Sequence, residues 1–142
     1  MGPRIFTVRQ ANALIPALES AFAELDRVRD RLRKVKSKMD VLEMLWAEEV
    51  HTESCPDSRE YKHYVEEIES ARHAYEAATR KLVDHEVVLK SVEAGLIDFY
   101  GVIEGRLVFL CWKRGETAVD FFHHLEDGFP GRQQIAPEYK LR

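Results

Sequence analysis

Glycine and proline are almost missing from the first two thirds of this sequence, and cysteine is scarce throughout. No glycine lies between Gly2 and Gly95, and the prolines of that stretch are only Pro3, Pro16 and Pro56. Because these two residues interrupt helices, their absence favours long helices. The chain of 142 residues has two cysteines, which excludes a disulfide scaffold and predicts a reducing, cytoplasmic location.

The sequence also lacks an excess of positive charge and a long apolar run. It has 25 acidic and 21 basic side chains and a net charge of −4, which argues against a protein that binds nucleic acid through phosphates. No apolar stretch approaches the roughly 20 residues of a membrane-spanning helix. With 45% hydrophobic and 32% charged residues, the chain is expected to fold as one domain, residues 1–142.

The first helix is predicted from a heptad pattern of apolar residues. Thr7 is the predicted N-cap, and Gln10 completes a capping box. Pro16 falls inside the pattern, so a kink is expected there. The apolar positions alternate in steps of four and three, as in a coiled coil: Leu14, Leu18, Ala21, Leu25, Val28, Leu32, Val35, Met39, Leu42 and Trp46.

A second helix follows a short segment around Pro56. We call the line of heptad positions along each helix its seam. The seam of the second helix has the same steps of three and four: Tyr61, Tyr64, Ile68, Ala71, Tyr75, Ala78, Leu82, His85 and Leu89. Two long helices joined by a short link are antiparallel neighbours, so the prediction is a coiled-coil-like hairpin over about residues 8–86. The end of the second helix is left open, because residues 87–89 also suit a strand.

The glycine-spaced remainder, about residues 87–142, predicts a β-meander and a C-terminal loop. Strands are expected over residues 96–99, 106–112 and 119–123, with the first turn between Gly101 and Gly105 and a tight second turn at residues 114–117. The predicted fold class is therefore α+β, with a long antiparallel two-helix hairpin followed by a small antiparallel β-meander.

The register of the last hairpin decides whether a metal site is expected. With Gly115 and Glu116 at the tip, Cys111 faces Asp120 and His123 faces Val108. Cys111 and His123 then point to opposite faces of the sheet and cannot share one ion. We therefore expect no metal and no cofactor, and we interpret Cys111 as a buried core residue.

The remaining chemistry lies in polar residues at the edge of the meander. The ligand-binding candidates are Asp98, Glu116, His123 and Arg132, with Asp127 nearby. One interpretation is structural: Arg132 pins the tail to the sheet through a carboxylate, with Asp98 the first choice and Glu116 the second. The alternative is a ligand pocket, and the sequence does not decide between them. No catalytic residue is assigned, so enzymatic activity stays open.

Several segments resemble a known family. Residues 6–7 (Phe-Thr) with 11–16 (Ala-Asn-Ala-Leu-Ile-Pro), 95–99 (Gly-Leu-Ile-Asp-Phe), 110–112 (Leu-Cys-Trp), 115–116 (Gly-Glu), His123 and 128–132 (Gly-Phe-Pro-Gly-Arg) are similar in order and spacing to the bacterial family of domain of unknown function 2203. Tyr100, where proline is expected, and Glu86, where glycine is expected, depart from the pattern. The resemblance supports the fold and implies no activity.

Two functions remain from these observations. The leading hypothesis is a cytoplasmic structural module that self-associates, as a homodimer through the hairpin, because a two-helix hairpin buries little apolar surface alone. The alternative is a small enzyme, or a ligand- or metal-binding protein, that uses the polar cluster of the meander. Neither hypothesis includes a nucleic acid or a membrane as a partner.

Overall fold

The structure, a computed structural model, describes residues 2–142 and divides into two compact units. One unit comprises the residues up to Phe22 together with Arg80–Arg142, and the other comprises Ala23–Thr79. None of the helices among the described residues combines the length and apolar character needed to cross a membrane. The candidate site lies entirely in the first unit.

Helix α1 runs from Val8 to Trp46 and starts at the predicted capping box. The Thr7 backbone N–H donates to Gln10 Oε1 at 2.9 Å, and the Gln10 N–H donates to Thr7 Oγ1 at 3.1 Å. These two bonds satisfy N–H groups that have no partner within the helix. Pro16 lies inside α1 without ending it.

A short 3₁₀ helix, Ala47–His51, leads from α1 toward helix α2, Ser58–Val83. The seam residues of both helices are buried or half-buried, which confirms the predicted apolar faces. In the second unit, Trp46 Nε1 donates to Asp57 at 2.8 Å and the Tyr61 hydroxyl donates to Glu43 at 2.7 Å. Tyr61 follows Asp57 along the chain, whereas its partner Glu43 precedes Trp46, so the two helices are antiparallel there.

The first unit contains a five-stranded antiparallel sheet with the strands in chain order. Its strands are β1 (Val88–Ser91), β2 (Leu96–Ile103), β3 (Arg106–Lys113), β4 (Phe121–His124) and β5 (Gln133–Gln134), and a short helix α3, Pro137–Lys140, follows. This confirms the α+β class and the meander. The prediction did not include β5 and α3.

One face of this sheet forms the core of the unit. Trp112 is fully buried and its ring lies 6.3 Å from that of Phe22, while the Phe6 and Phe99 rings meet edge to face at 5.2 Å. Side chains alternate along a strand, so the residues next to Trp112 on β3 and next to Phe99 on β2 point to the opposite face. That opposite face carries the candidate site.

The predicted first turn of the meander is corrected. Strand β2 continues through Gly101 to Ile103, and the turn consists of Glu104 and Gly105, both with positive φ (52° and 73°). Two residues of this conformation match the twist of an antiparallel hairpin. Gly101 has another role, because a Cβ on it would lie 2.7 Å from Leu110 Cγ.

The predicted second turn and its register are wrong. Val108 pairs with His124 and Cys111 pairs with Phe121, one residue beyond the prediction. The connection is a long loop, residues 114–120, rather than a tight turn. Asn12 Oδ1 holds this loop by accepting from the Val119 N–H at 2.7 Å. A shift of one residue moves every side chain of β4 to the other face.

Candidate functional site

Three buried side chains with metal-binding atoms meet on the outer face of the sheet. One ligand atom each from Asp98, Cys111 and His123 lies within 4.8 Å of the other two. The three residues are 2%, 1% and 2% exposed, respectively. Among the described residues, no other group of three such side chains comes together in this way.

Three strands place these groups. Asp98 on β2 lies directly opposite Cys111 on β3, because the turn at Glu104 and Gly105 fixes that pairing. His123 on β4 pairs with Phe109, two residues from Cys111 and therefore on the same face. The predicted separation of Cys111 from His123 is thus wrong, and with it the argument against a shared ion.

Both ring nitrogens of His123 have partners. Its Nδ1 lies 2.9 Å from the carbonyl oxygen of His124, so Nδ1 carries a hydrogen and donates. Its Nε2 lies 3.0 Å from Asp98 Oδ2. One further proton lies between Nε2 and that carboxyl group, since two groups that only accept could not approach so closely.

Burial controls the protonation of the other two groups. Removal from water raises the pKa of Asp98, and the neighbouring His123, Cys111 and Lys90 oppose this rise. Burial, together with the negative charge of Asp98, raises the pKa of the Cys111 thiol to about 12. The thiol is therefore protonated near neutral pH, as expected for a core cysteine.

A small cavity opens in front of the three residues. Its volume is about 110 Å³, and its lining is Lys90, Leu96, Asp98, Cys111, His123, Asp127, Gly128 and Phe129. The Lys90 ammonium lies 4.0 Å from Asp98 Oδ2 and 4.5 Å from the centre of the Phe109 ring. Asp98, Cys111 and His123 thus form the floor of the cavity, and the ammonium group of Lys90 lies beside them.

The other two predicted ligand candidates form a separate pair. Arg132 Nη2 donates to both carboxylate oxygens of Glu116, at 2.9 and 2.7 Å. The guanidinium lies over the Phe121 ring at 4.0 Å and over the Phe129 ring at 4.5 Å. Neither Arg132 nor Glu116 lines the cavity. Arg132 thus pairs with Glu116, the second of its two predicted partners. Asp98, the first of them, pairs with His123 instead.

The sequence interpretation considered Cys111 as a metal ligand, rejected it because of the wrong register, and did not consider Lys90. Cys111 could be identified from the β2–β3 hairpin alone, because a two-residue turn at Glu104 and Gly105 places it opposite Asp98. Lys90 offers no comparable signal, since it is one charged residue on a short edge strand.

Comparison with known proteins identifies one family. Residues 4–135 match the family described as "Uncharacterized conserved protein (DUF2203)". No curated protein and no solved structure gives a significant match. The match therefore covers the whole sheet and the candidate site, and it brings no activity with it.

Proposed function

The chain belongs to this family of domain of unknown function 2203, and we propose that the protein binds one zinc-type divalent metal ion through Asp98, Cys111 and His123. The observation that carries the proposal is the convergence of three buried donor atoms within 4.8 Å. Carboxylate oxygen, thiolate sulfur and imidazole nitrogen are the donors that Zn²⁺ takes in proteins.

The spacing of the donor atoms suits a tetrahedral ion. Metal–ligand distances of about 2.0 to 2.3 Å imply donor–donor distances near 3.5 Å. His123 Nε2 and Asp98 Oδ2 are 3.0 Å apart, so a small side-chain adjustment would admit the ion between them.

The orientation of His123 is also that of a metal ligand. Its Nδ1–H donates to the His124 carbonyl, which fixes the ring and directs Nε2 toward the cluster. Histidines that bind metals through Nε2 commonly donate their other ring hydrogen to a backbone carbonyl or a carboxylate. The hydrogen bond that would orient His123 as a metal ligand is therefore already present in the metal-free protein.

A divalent ion would also balance the charge of the cluster. An ionised Asp98 and a Cys111 thiolate bring two negative charges, and a neutral His123 brings none. Metal binding displaces the proton between Asp98 and His123 and the proton of the thiol, so its affinity should rise with pH.

Metal content and affinity of the purified, reduced protein test the proposal. We expect one Zn²⁺ per chain after loading, and a thiolate-to-metal charge-transfer band with Co²⁺. C111S should remove the band, whereas D98N should keep it at saturating Co²⁺, and both should lower the affinity for the ion. C55S is the matched control, because Cys55 is also a free, buried cysteine but lies in the second unit. Sub-stoichiometric binding, or equal binding by C111S and C55S, would contradict the proposal.

Self-association through the hairpin is a second candidate, and exposed apolar side chains near its tip support it. Val41, Met44 and Leu45 lie on one side of α1 and are 54%, 85% and 67% exposed. The seam residues are already buried or half-buried in the single chain, so these side chains are the surface left for a second copy.

The charges of the hairpin also favour a second copy. Residues 27–38 of α1 contain seven basic side chains and one acidic, whereas residues 60–76 of α2 contain five acidic and two basic. In a dimer, the basic segment of one copy can face the acidic segment of the other. We keep the cytoplasm as the proposed location, since a cysteine ligand needs reducing conditions.

Light scattering of the intact protein tests this second candidate. We expect a mass above 16.5 kDa at micromolar concentration. Met44→Glu should shift the protein to monomer, whereas Leu141→Glu, on a side chain 78% exposed outside the hairpin, should not. A monomer under all conditions would exclude it.

A further inference from the structure

We infer that the metal-loaded site binds a small monocarboxylate, held by the ion and by Lys90. This inference rests on the metal site proposed above and adds the class of its ligand. Its basis is a cavity of about 110 Å³ that has the three donor residues on its floor and Lys90 in its lining.

The cavity leaves a coordination position free for a ligand. Asp98, Cys111 and His123 provide three protein donors, and zinc sites that keep water or substrate in the fourth position also have three. A water molecule occupies about 30 Å³ in the liquid, so the cavity has room for roughly three or four non-hydrogen atoms. A short carboxylate is of this size.

Lys90 supplies the positive charge beside that position. Its side chain is 43% exposed, so the ammonium group is partly hydrated, and the Phe109 ring at 4.5 Å supports it on one side. In the metal-free protein, Asp98 is its nearest charged partner, at 4.0 Å. The cluster has no net charge either with the shared proton and the thiol proton or with the divalent ion and two anionic ligands. Lys90 is therefore a cation at the edge of the cavity in both states, and metal loading adds the open coordination position beside it.

The rest of the lining favours a carboxylate over a more highly charged anion. Leu96 and Phe129 offer apolar walls for an alkyl group, and Asp127 adds a negative charge that repels a dianion such as phosphate more strongly than a monoanion. A monocarboxylate satisfies both conditions, since it has one negative charge at one end and carbon at the other.

Metal and carboxylate should therefore bind cooperatively. If metal binding creates the anion site, the carboxylate must raise the affinity for the metal by the factor by which the metal raises affinity for the carboxylate. This reciprocity is measurable without any knowledge of a reaction.

The experiment titrates acetate into Co²⁺-loaded and metal-free protein at constant ionic strength, with absorption and calorimetry as readouts. We expect acetate to change the Co²⁺ spectrum, to bind the metal-free protein far more weakly, and to tighten Zn²⁺ binding. Methylammonium, similar in size but positive, should have no effect, and phosphate should bind less tightly than acetate.

Variants at Lys90 separate this inference from the metal site. K90Q should bind the metal but lose about tenfold in acetate affinity, the size expected for a charged hydrogen bond. K90R should restore most of the affinity, and K62Q, on an exposed residue of α2, should match the unchanged protein.

The outcomes are distinguishable. If the protein binds no metal, both the proposed function and this inference fail. If metal binds but acetate leaves the spectrum and the zinc affinity unchanged, or if K90Q binds acetate normally, only the monocarboxylate inference is overturned.

Discussion

His123 Nε2 lies 3.0 Å from Asp98 Oδ2, although their strands, β4 and β2, are separated in the sheet by β3. The two side chains reach each other across β3, and the thiol of Cys111 lies within the same cluster. Both residues are 2% exposed, so the contact is largely shielded from bulk water. The pair is therefore both a structural contact and the centre of the proposed metal site.

We predict that D98A destabilises the metal-free protein by about 1 to 3 kcal/mol, because it leaves the buried His123 without its Nε2 partner. D98N should be closer to the unchanged protein, since its amide N–H can donate to Nε2. Urea unfolding of the two variants measures the difference. Equal stability of D98A and the unchanged protein would show that the 3.0 Å contact adds nothing.

The helices and most strands could be predicted because their signals are local. The capping box at Thr7 and Gln10 acts over three residues, and each heptad seam repeats within one helix. The end of α2 at Val83 was less clear, because the heptad steps continue through His85 to Leu89 after the helix has ended. Glu86, with φ of 64°, lies between the helix and β1.

The site could not be predicted, because its formation depends on the length of one loop. Contacts distant in sequence determine the path of residues 114–120: Asn12 accepts from Val119 at 2.7 Å and Glu19 accepts from Gly115 at 3.3 Å. The turn residues Gly115 and Glu116 suggest a tight hairpin, and that local signal gives the wrong face for His123. Only the Asp98–Cys111 half of the cluster follows from a local turn.

We predict that Gly101→Ala destabilises the sheet by about 1 to 3 kcal/mol, because the new Cβ would lie 2.7 Å from Leu110 Cγ in a buried strand. Gly128→Ala is the matched control, since its Cβ would meet only Pro130 at 3.7 Å. Thermal unfolding of both variants is the measurement. Equal melting temperatures would mean that β2 and β3 separate freely at this position.

We predict that Arg132→Ala costs about 1 to 3 kcal/mol, because Glu116 then keeps the Lys113 N–H but loses the guanidinium, and the cation between the Phe121 and Phe129 rings is removed. The side chains of Arg132 and Glu116 are 11% and 26% exposed, so water screens the pair only in part. Arg106→Ala is the control, since Arg106 is exposed and lies at the start of β3, whereas Glu116 follows the end of that strand. If the melting temperature of Arg132→Ala is unchanged, a functional, anion-binding arginine becomes the better interpretation.

We predict that Tyr61→Phe destabilises the hairpin by about 1 kcal/mol, because the hydroxyl of this buried residue donates to Glu43 on the facing helix in a partly buried position. Tyr64→Phe should have no measurable effect, since that hydroxyl bonds to Glu60 on its own helix in an exposed position. Chemical denaturation followed by helical circular dichroism compares the two. Equal losses of unfolding free energy would show that the hydrogen bond between the helices stabilises the hairpin no more than the exposed one does.

We predict that the Cys111 thiol makes the metal-free protein less stable at alkaline pH. Burial raises its pKa from 9.0 to about 12 in the folded state. Between these values the unfolded chain releases the thiol proton while the folded protein keeps it, so unfolding becomes more favourable as pH rises. The contribution of this thiol to stability is complete below pH 9.0 and is lost progressively above it.

Cys111→Ala removes this dependence, so its stability should fall less steeply above pH 9.0 than that of the unchanged protein. Lysine and tyrosine titrate in the same range in both proteins, so the difference between the two curves reports Cys111 alone. Parallel curves for Cys111→Ala and the unchanged protein would show that the thiol ionises as readily in the folded sheet as in the unfolded chain, which is incompatible with its burial among β2, β3 and β4.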